Sequence, residues 1–227
     1  QTNEIEEKIF ESFQKNLKRK VSKSEITSWK NSMQYMKNLL ETPTIPDDSG
    51  VAIEYSIPQT SKRIDFILTG ANHDNKETAI IIELKQWEEV KRTNKDAIVE
   101  TFLGGQVRET SHPSYQAWSY AALLQDFNET IEKDNIYLKP CAYLHNCISE
   151  DEIFSNFYGE YLEKAPAFLK KDFEKLQRFI SQNIKYGDKK DLLYRIENGK
   201  IRPSKSLTDH LASLLKGNQE FVMIDDQ

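Results

Sequence analysis

Cysteine is scarce in this chain, and long apolar runs are missing. The 227 residues hold two cysteines, Cys141 and Cys147. They give neither a disulfide framework nor a zinc-type spacing, which fits a reducing, cytoplasmic setting. Apolar runs are short: residues 79–82 (Ala-Ile-Ile-Ile) make four, where a membrane span needs about 20, so no transmembrane helix is expected. The N-terminus is polar and reads as helix, not as a secretory leader. Gln1 in place of an initiator methionine leads us to expect a piece of a longer protein. A net basic charge is also lacking. The balance of −5 excludes a uniformly basic nucleic-acid coat. No repeat or low-complexity segment occurs, and no G-x-x-x-x-G-K-[ST] phosphate loop, so an ATPase is not expected.

What is present is a globular composition, 38% hydrophobic and 30% charged. The length suits one large domain, or one domain with a helical appendage. The chain is organised around residues 63–85, which read RIDFILTG, a polar loop, then TAIIIELKQW to residue 87. Near-continuous Ile, Leu and Phe predict two buried strands, broken only by Asp65, Glu83 and Lys85. Alternate residues of a strand share a face, so Glu83 and Lys85 point the same way. A hairpin brings Asp65 beside them. Two carboxylates and a lysine are costly to bury without a partner or a metal. A strand-end salt bridge reaching solvent is the other reading of the same three residues.

The remaining pattern runs in a clear order. Ile5, Ile9, Phe10, Phe13 and Leu17 line one face of a helix over 4–17. Ser24 predicts an N-cap and Glu25 a first turn of a second helix reaching about Glu41, with Ile26, Trp29, Met33, Met36 and Leu40 as its stripe. VAIEYSIP is a strand interrupted by Glu54. Gly104-Gly105 predicts a hairpin turn between AIVETFL and QVRET. Pro113 opens a helix running to about residue 133, KPCAYLHN is a further strand, and the chain from Glu150 onward is expected to be mostly helical. Two basic clusters stand out. One is Lys15, Lys18, Arg19, Lys20 and Lys23; the other spans 170–205, with eleven basic and five acidic residues, a local balance of +6. Such clusters either track a phosphate backbone or are solvated helix faces. Gln116 and Tyr120 lie four apart and share a helix face, on the helix that must cover the charged strands.

The ordered set Asp65, Glu83-Leu84-Lys85 and Gln116-x-x-x-Tyr120 resembles the PD-(D/E)xK nuclease superfamily, RecB-like branch. The first motif is degenerate, since Ile64 and not proline precedes Asp65. SEITSWKNSM, IEYSIPQTSKRIDFIL, IIIELKQW, HPSYQAWSYA and the closing EFVMIDDQ further resemble the N-terminal part of bacterial nuclease–helicase fusions with a Schlafen-like motor. The resemblance implies an α/β, restriction-endonuclease-like core, a mixed central sheet flanked by helices, with a C-terminal helical extension. It sets the core at 1–147 and the extension, leading toward a motor that this sequence lacks, at 148–227.

The resemblance also implies an activity: Mg²⁺- or Mn²⁺-dependent phosphodiester hydrolysis, on DNA rather than RNA, in a cytoplasmic protein defending against phage or plasmid DNA. Asp65, Glu83 and the Leu84 carbonyl would hold the metal. Lys85 would orient or deprotonate the attacking water and stabilise phosphoryl charge. Gln116 would hold water, lysine or phosphate in line, and Tyr120 would buttress that helix. Glu54 and Glu25 are the additional carboxylates of the same reading, although Glu25 serves a helix dipole equally well. His112 and His145 are read as structural. A catalytically silent nucleic-acid-binding or motor-docking module of the same fold is the alternative.

Overall fold

A computed structural model describes residues 23–215. The helix expected over 4–17, the basic residues at 15–20 and the closing EFVMIDDQ lie outside the described residues. The chain divides into two compact units, residues 1–42 and 43–227. In the first, helix α1 (Lys23–Leu40) buries Met36 of its expected stripe and also Leu39, while Met33 and Leu40 are half-buried.

The second unit is α/β. Its strands β1 (Gly50–Ser56), β2 (Arg63–Ala71) and β3 (Glu77–Lys85) pair antiparallel in chain order. The chain then builds a small three-stranded sheet from β4 (Val90–Arg92), β5 (Ile98–Leu103) and β6 (Gln106–Ser111). Helices α2 (Pro113–Phe127) and α3 (Glu129–Lys133) return it to β7 (Tyr137–Leu144), parallel to β3. Short helices α4 (Glu150–Ile153) and α5 (Gly159–Lys164) lead to β8 (Ala167–Leu169), parallel to β7. Helices α6 (Phe173–Asn183), α7 (Leu192–Glu197) and α8 (Lys205–Leu215) follow. The large sheet is therefore mixed, in the order β1-β2-β3-β7-β8.

Local chemistry explains the turns. Asn72 Oδ1 accepts from the backbone N–H groups of Asp74 and Lys76, both at 3.0 Å, and closes the β2–β3 loop. Gly104 (φ 59°) and Gly105 (φ 87°) make the two-residue β5–β6 turn that positive φ requires. At α2, Pro113 occupies the first turn and His112 Nδ1 accepts from Ser114 N–H at 3.2 Å.

β3 is buried from Thr78 to Leu84 because both faces of the sheet are covered. On one face Ile67, Ala79 and Ile81 pack against Tyr120 and Leu124 of α2 and Ile196 of α7. On the other, Phe66, Leu68, Ile80 and Ile82 are buried, and α6 packs on β3 and β8. A second core joins Trp87, and Val90 and Val99 of the small sheet, to Ala142, Leu144 and Leu169.

The segment after 147 was expected to be a helical extension. It instead supplies β8 to the sheet and Leu192 and Ile196 to the core. Its basic excess is largely neutralised by carboxylates: Arg195 bonds Glu77 at 2.5 Å and also Asp134, Arg202 pairs with Glu129 at 3.0 Å, and Lys171 pairs with Glu150. That segment docks through Gly70, where a Cβ would stand 2.5 Å from the Tyr186 carbonyl oxygen and 2.7 Å from Ile184 Cγ2. Gly70→Ala is expected to cost roughly 1–3 kcal/mol, read as a lower urea midpoint with an unchanged slope. A wild-type midpoint would mean that 184–187 does not press on β2.

Candidate functional site

β2 and β3 pair from Ala71↔Glu77 to Phe66↔Ile82, and the ladder stops there. The next positions in register are Asp65 and Glu83. In place of a ladder bond, the Leu84 N–H donates to Asp65 Oδ2 at 2.8 Å. A carboxylate thus satisfies an amide that a neighbouring strand would otherwise have to pair. The N–H and C=O of one strand residue point to the same side, so the Leu84 carbonyl also faces the opening.

β1 lets go of β2 at the same level. Ile53↔Phe66 and Tyr55↔Ile64 are paired, while Glu54, opposite Asp65, drops out with φ 54°. A left-handed non-glycine residue costs on the order of 1 kcal/mol, so the kink is held by its surroundings. One holder is the ion pair of Glu54 Oε2 with Arg63 Nη1 at 2.8 Å. Asp65 therefore sits where one rung is missing on the β1 side and the ladder ends on the β3 side.

Glu83 is 1% exposed. Its Oε1 accepts from Lys85 Nζ at 2.6 Å, and its Oε2 is buried with no hydrogen-bond partner. Burial, and then the negative charge of Asp65, push the Glu83 carboxyl up to about 8, against the pull of Lys85. Lys85 is held above its ordinary value: burial, the largest single influence, lowers it, but Glu83 and Asp65 together outweigh that. Its ammonium lies 5.3 Å from the Trp87 ring centroid.

α2 closes the site from above. Gln116 Nε2 donates to the Tyr120 hydroxyl at 2.9 Å, so the amide bonds to the tyrosine and not to the carboxylates or lysine to which it was expected to point. The phenol of Tyr120 is raised by burial and by the nearby charge of Glu83. The three strand residues and the Gln-x-x-x-Tyr helix do meet.

The other expected residues lie elsewhere. Glu54 is engaged by Arg63. Glu25 belongs to α1 in the first unit, and its side chain is outside the described ones. His112 is structural: it caps α2, its Nε2 lies 3.2 Å from the Ile153 carbonyl, and burial lowers it to about 4. His145 follows β7, donates its backbone N–H to the Lys85 carbonyl at 3.2 Å, and packs its ring against Tyr143. Sequence reasoning missed Arg63 and Trp87. Both were findable, since each lies two residues from a charged strand residue and so shares its face.

Among the described residues no group of three His, Cys, Asp or Glu side chains is arranged to hold a metal. Asp65, Glu83 and the Leu84 carbonyl are two carboxylates and a backbone oxygen, all hard donors of the kind that Mg²⁺ or Mn²⁺ takes. The orphaned Glu83 Oε2 marks a place where a proton or a cation is wanted. No family model, curated protein or solved structure matches the chain. Fold and site define an α/β protein whose mixed sheet carries a buried Glu83, a half-buried Asp65 and Lys85 where the β2–β3 ladder ends. No described helix is long and apolar enough to cross a membrane.

Proposed function

We propose that the chain is a metal-dependent phosphodiesterase acting on DNA, a nuclease of the PD-(D/E)xK type. The observation that carries this reading is the opening between β2 and β3, where Asp65, Glu83 and Lys85 converge under the Gln116–Tyr120 pair. Hydrolysis joins a water oxygen to phosphorus and expels an alkoxide, which must gain a proton. Asp65, Glu83 and the Leu84 carbonyl would hold Mg²⁺ or Mn²⁺, which would supply Lewis acidity toward water and phosphate.

The chain's own residues do the rest. Lys85, held protonated by two carboxylates, is suited to donate to a phosphoryl oxygen as charge builds there, and less suited to act as the base. Asp65 fixes the Leu84 amide and with it the strand end that carries Lys85. Gln116 fixes the Tyr120 hydroxyl by donating to it, which leaves the phenolic proton to be given toward the anionic centre. A role as the nuclease part of a longer nuclease–helicase protein belongs to the same proposal.

The test is incubation of linear, circular and single-stranded DNA with the 227-residue chain in Mg²⁺, Mn²⁺ or EDTA. Cleavage in either metal, abolished by EDTA and by Asp65→Ala, is the expected result. DNA binding without cleavage under every metal condition would instead favour a silent binding module.

A further inference from the structure

Two groups are in contact with the Lys85 ammonium: Glu83 Oε1 at 2.6 Å, and the face of Trp87, whose ring centroid lies 5.3 Å away. Both contacts are shielded from water. The side chains of Lys85 and Glu83 are 17% and 2% exposed, and Trp87 is buried. An indole face carries the negative side of the ring's quadrupole, and its pull on a cation grows as water is excluded. Glu83 and Trp87 thus hold one ammonium by different chemistry, the first through an ion pair and the second through a ring.

The ring is set in place independently of the carboxylates. Trp87 lies two residues past the end of β3. The backbone on either side of it is fastened to the chain that follows β7: His145 N–H donates to the Lys85 carbonyl and Ile148 N–H to the Glu88 carbonyl, both at 3.2 Å. The indole itself packs in the second core, with Val90 and Val99 of the small sheet and with Ala142 and Leu144 of β7. These are backbone bonds and apolar contacts, and none of them involves Asp65 or Glu83.

That independence has a use at the site. Under the proposed function Glu83 would share its oxygens with Mg²⁺ or Mn²⁺, and a carboxylate neutralised by a divalent ion attracts an ammonium less. The indole offers no oxygen to such an ion, so its face stays available to the lysine. We infer that Trp87 is the positioning residue for Lys85, its ring holding the ammonium at the end of β3 while Glu83 is engaged by the metal. This rests on the nuclease reading for its reaction. A lysine released by both partners regains the freedom of a long flexible stem, and the fixed placement toward a phosphoryl oxygen goes with it. A core tryptophan that merely has a lysine stem lying across it would instead be indifferent to the electron density of its ring.

The test uses the 227-residue chain with mono- to tetrafluorotryptophan placed at position 87 by nonsense suppression. Fluorine drains the negative face of the ring and nearly preserves its shape. Single-turnover cleavage of linear DNA in Mg²⁺, with enzyme in excess, should slow stepwise with fluorine count. The fall over the series should be roughly threefold to thirtyfold, the range of a cation–π contact, with half-saturation at an unchanged enzyme concentration. Trp87→Phe should keep more of the rate than Trp87→Leu. A second readout needs no cleavage and no DNA. With lysines labelled at Cε, the Lys85 signal, assigned by its absence in Lys85→Met, should be displaced by the ring current in EDTA and stay displaced in saturating Mg²⁺. In Trp87→Leu it should move to the ordinary lysine position. If the rate ignores fluorine count, Trp87 is core packing and the inference is wrong, while the nuclease reading stands. If the displaced signal returns to the ordinary position on adding Mg²⁺, the ammonium leaves the ring when metal binds and the inference is equally wrong. If wild type cleaves in neither Mg²⁺ nor Mn²⁺, the nuclease reading fails and takes the inference with it.

Discussion

Lys85→Ala is expected to lower metal-dependent DNA cleavage by about three orders of magnitude or more, the size of effect seen when a positioned charge or proton-transfer group is removed. Lys85 is the cation that meets Glu83 Oε1, and it is itself held charged by Glu83 and Asp65. Without it, the phosphoryl oxygens lose their charged donor, and a carboxylate pair remains with no internal counter-ion. DNA affinity in Ca²⁺ should fall far less than the rate, because the lysine acts mainly on charge that builds in the transition state. Single-turnover kinetics with excess enzyme separate the two quantities. Cleavage by Lys85→Ala at a rate near wild type would remove the lysine from the mechanism and take the proposal's central residue with it.

The second large effect is on stability. In metal-free buffer the Glu83 carboxyl is pushed up to about 8, from an ordinary value of 4.5, by its burial and by Asp65. The folded state then binds the proton more tightly than the unfolded one. Unfolding releases a proton between these two values, so the part of the stability that Glu83 contributes is full below 4.5 and is lost as pH rises toward 8. The integrated difference is on the order of 3–5 kcal/mol. Glu83→Gln removes that titration. In EDTA its melting temperature, relative to wild type, should therefore climb steadily from pH 5 to pH 8, by several degrees or more. Parallel wild-type and Glu83→Gln curves over that range would show that Glu83 ionises freely where it sits. The sequence pointed to three awkward charges; the structure adds that one of them is tolerated only in part.

Much of this was legible before any coordinates. The run of β-branched and aliphatic residues in β2 and β3 demanded two covered faces, and the structure covers both. Gly104-Gly105 marked the β5–β6 turn, and Asp65, Glu83 and Lys85 do share one face with α2 above them. Three things were not legible. β8 is three residues long, too short for periodicity to register, and its partner β7 lies more than 20 residues away. The basic stretch looked like a candidate backbone track because its acidic partners, Glu77, Asp134, Glu129 and Glu150, belong to other elements. The roles of Glu54 and Gln116 turn on which neighbour each side chain prefers, Arg63 and Tyr120, and spacing gives no such preference.

The place where the β2–β3 ladder ends has a consequence for how such a protein could diversify. Everything between Lys85 and His112 is one excursion of the chain, leaving the large sheet just after its buried carboxylate and returning just before its covering helix. Only the inner face of that excursion is committed to a core; β6 is exposed from Gln106 to Glu109. Lengthening, shortening or recharging its outer end alters none of the contacts that hold Asp65, Glu83 and Lys85 together. Under the proposed function, the groups at Asp65, Glu83 and Lys85 and the outer surface of this excursion are thus separately variable parts.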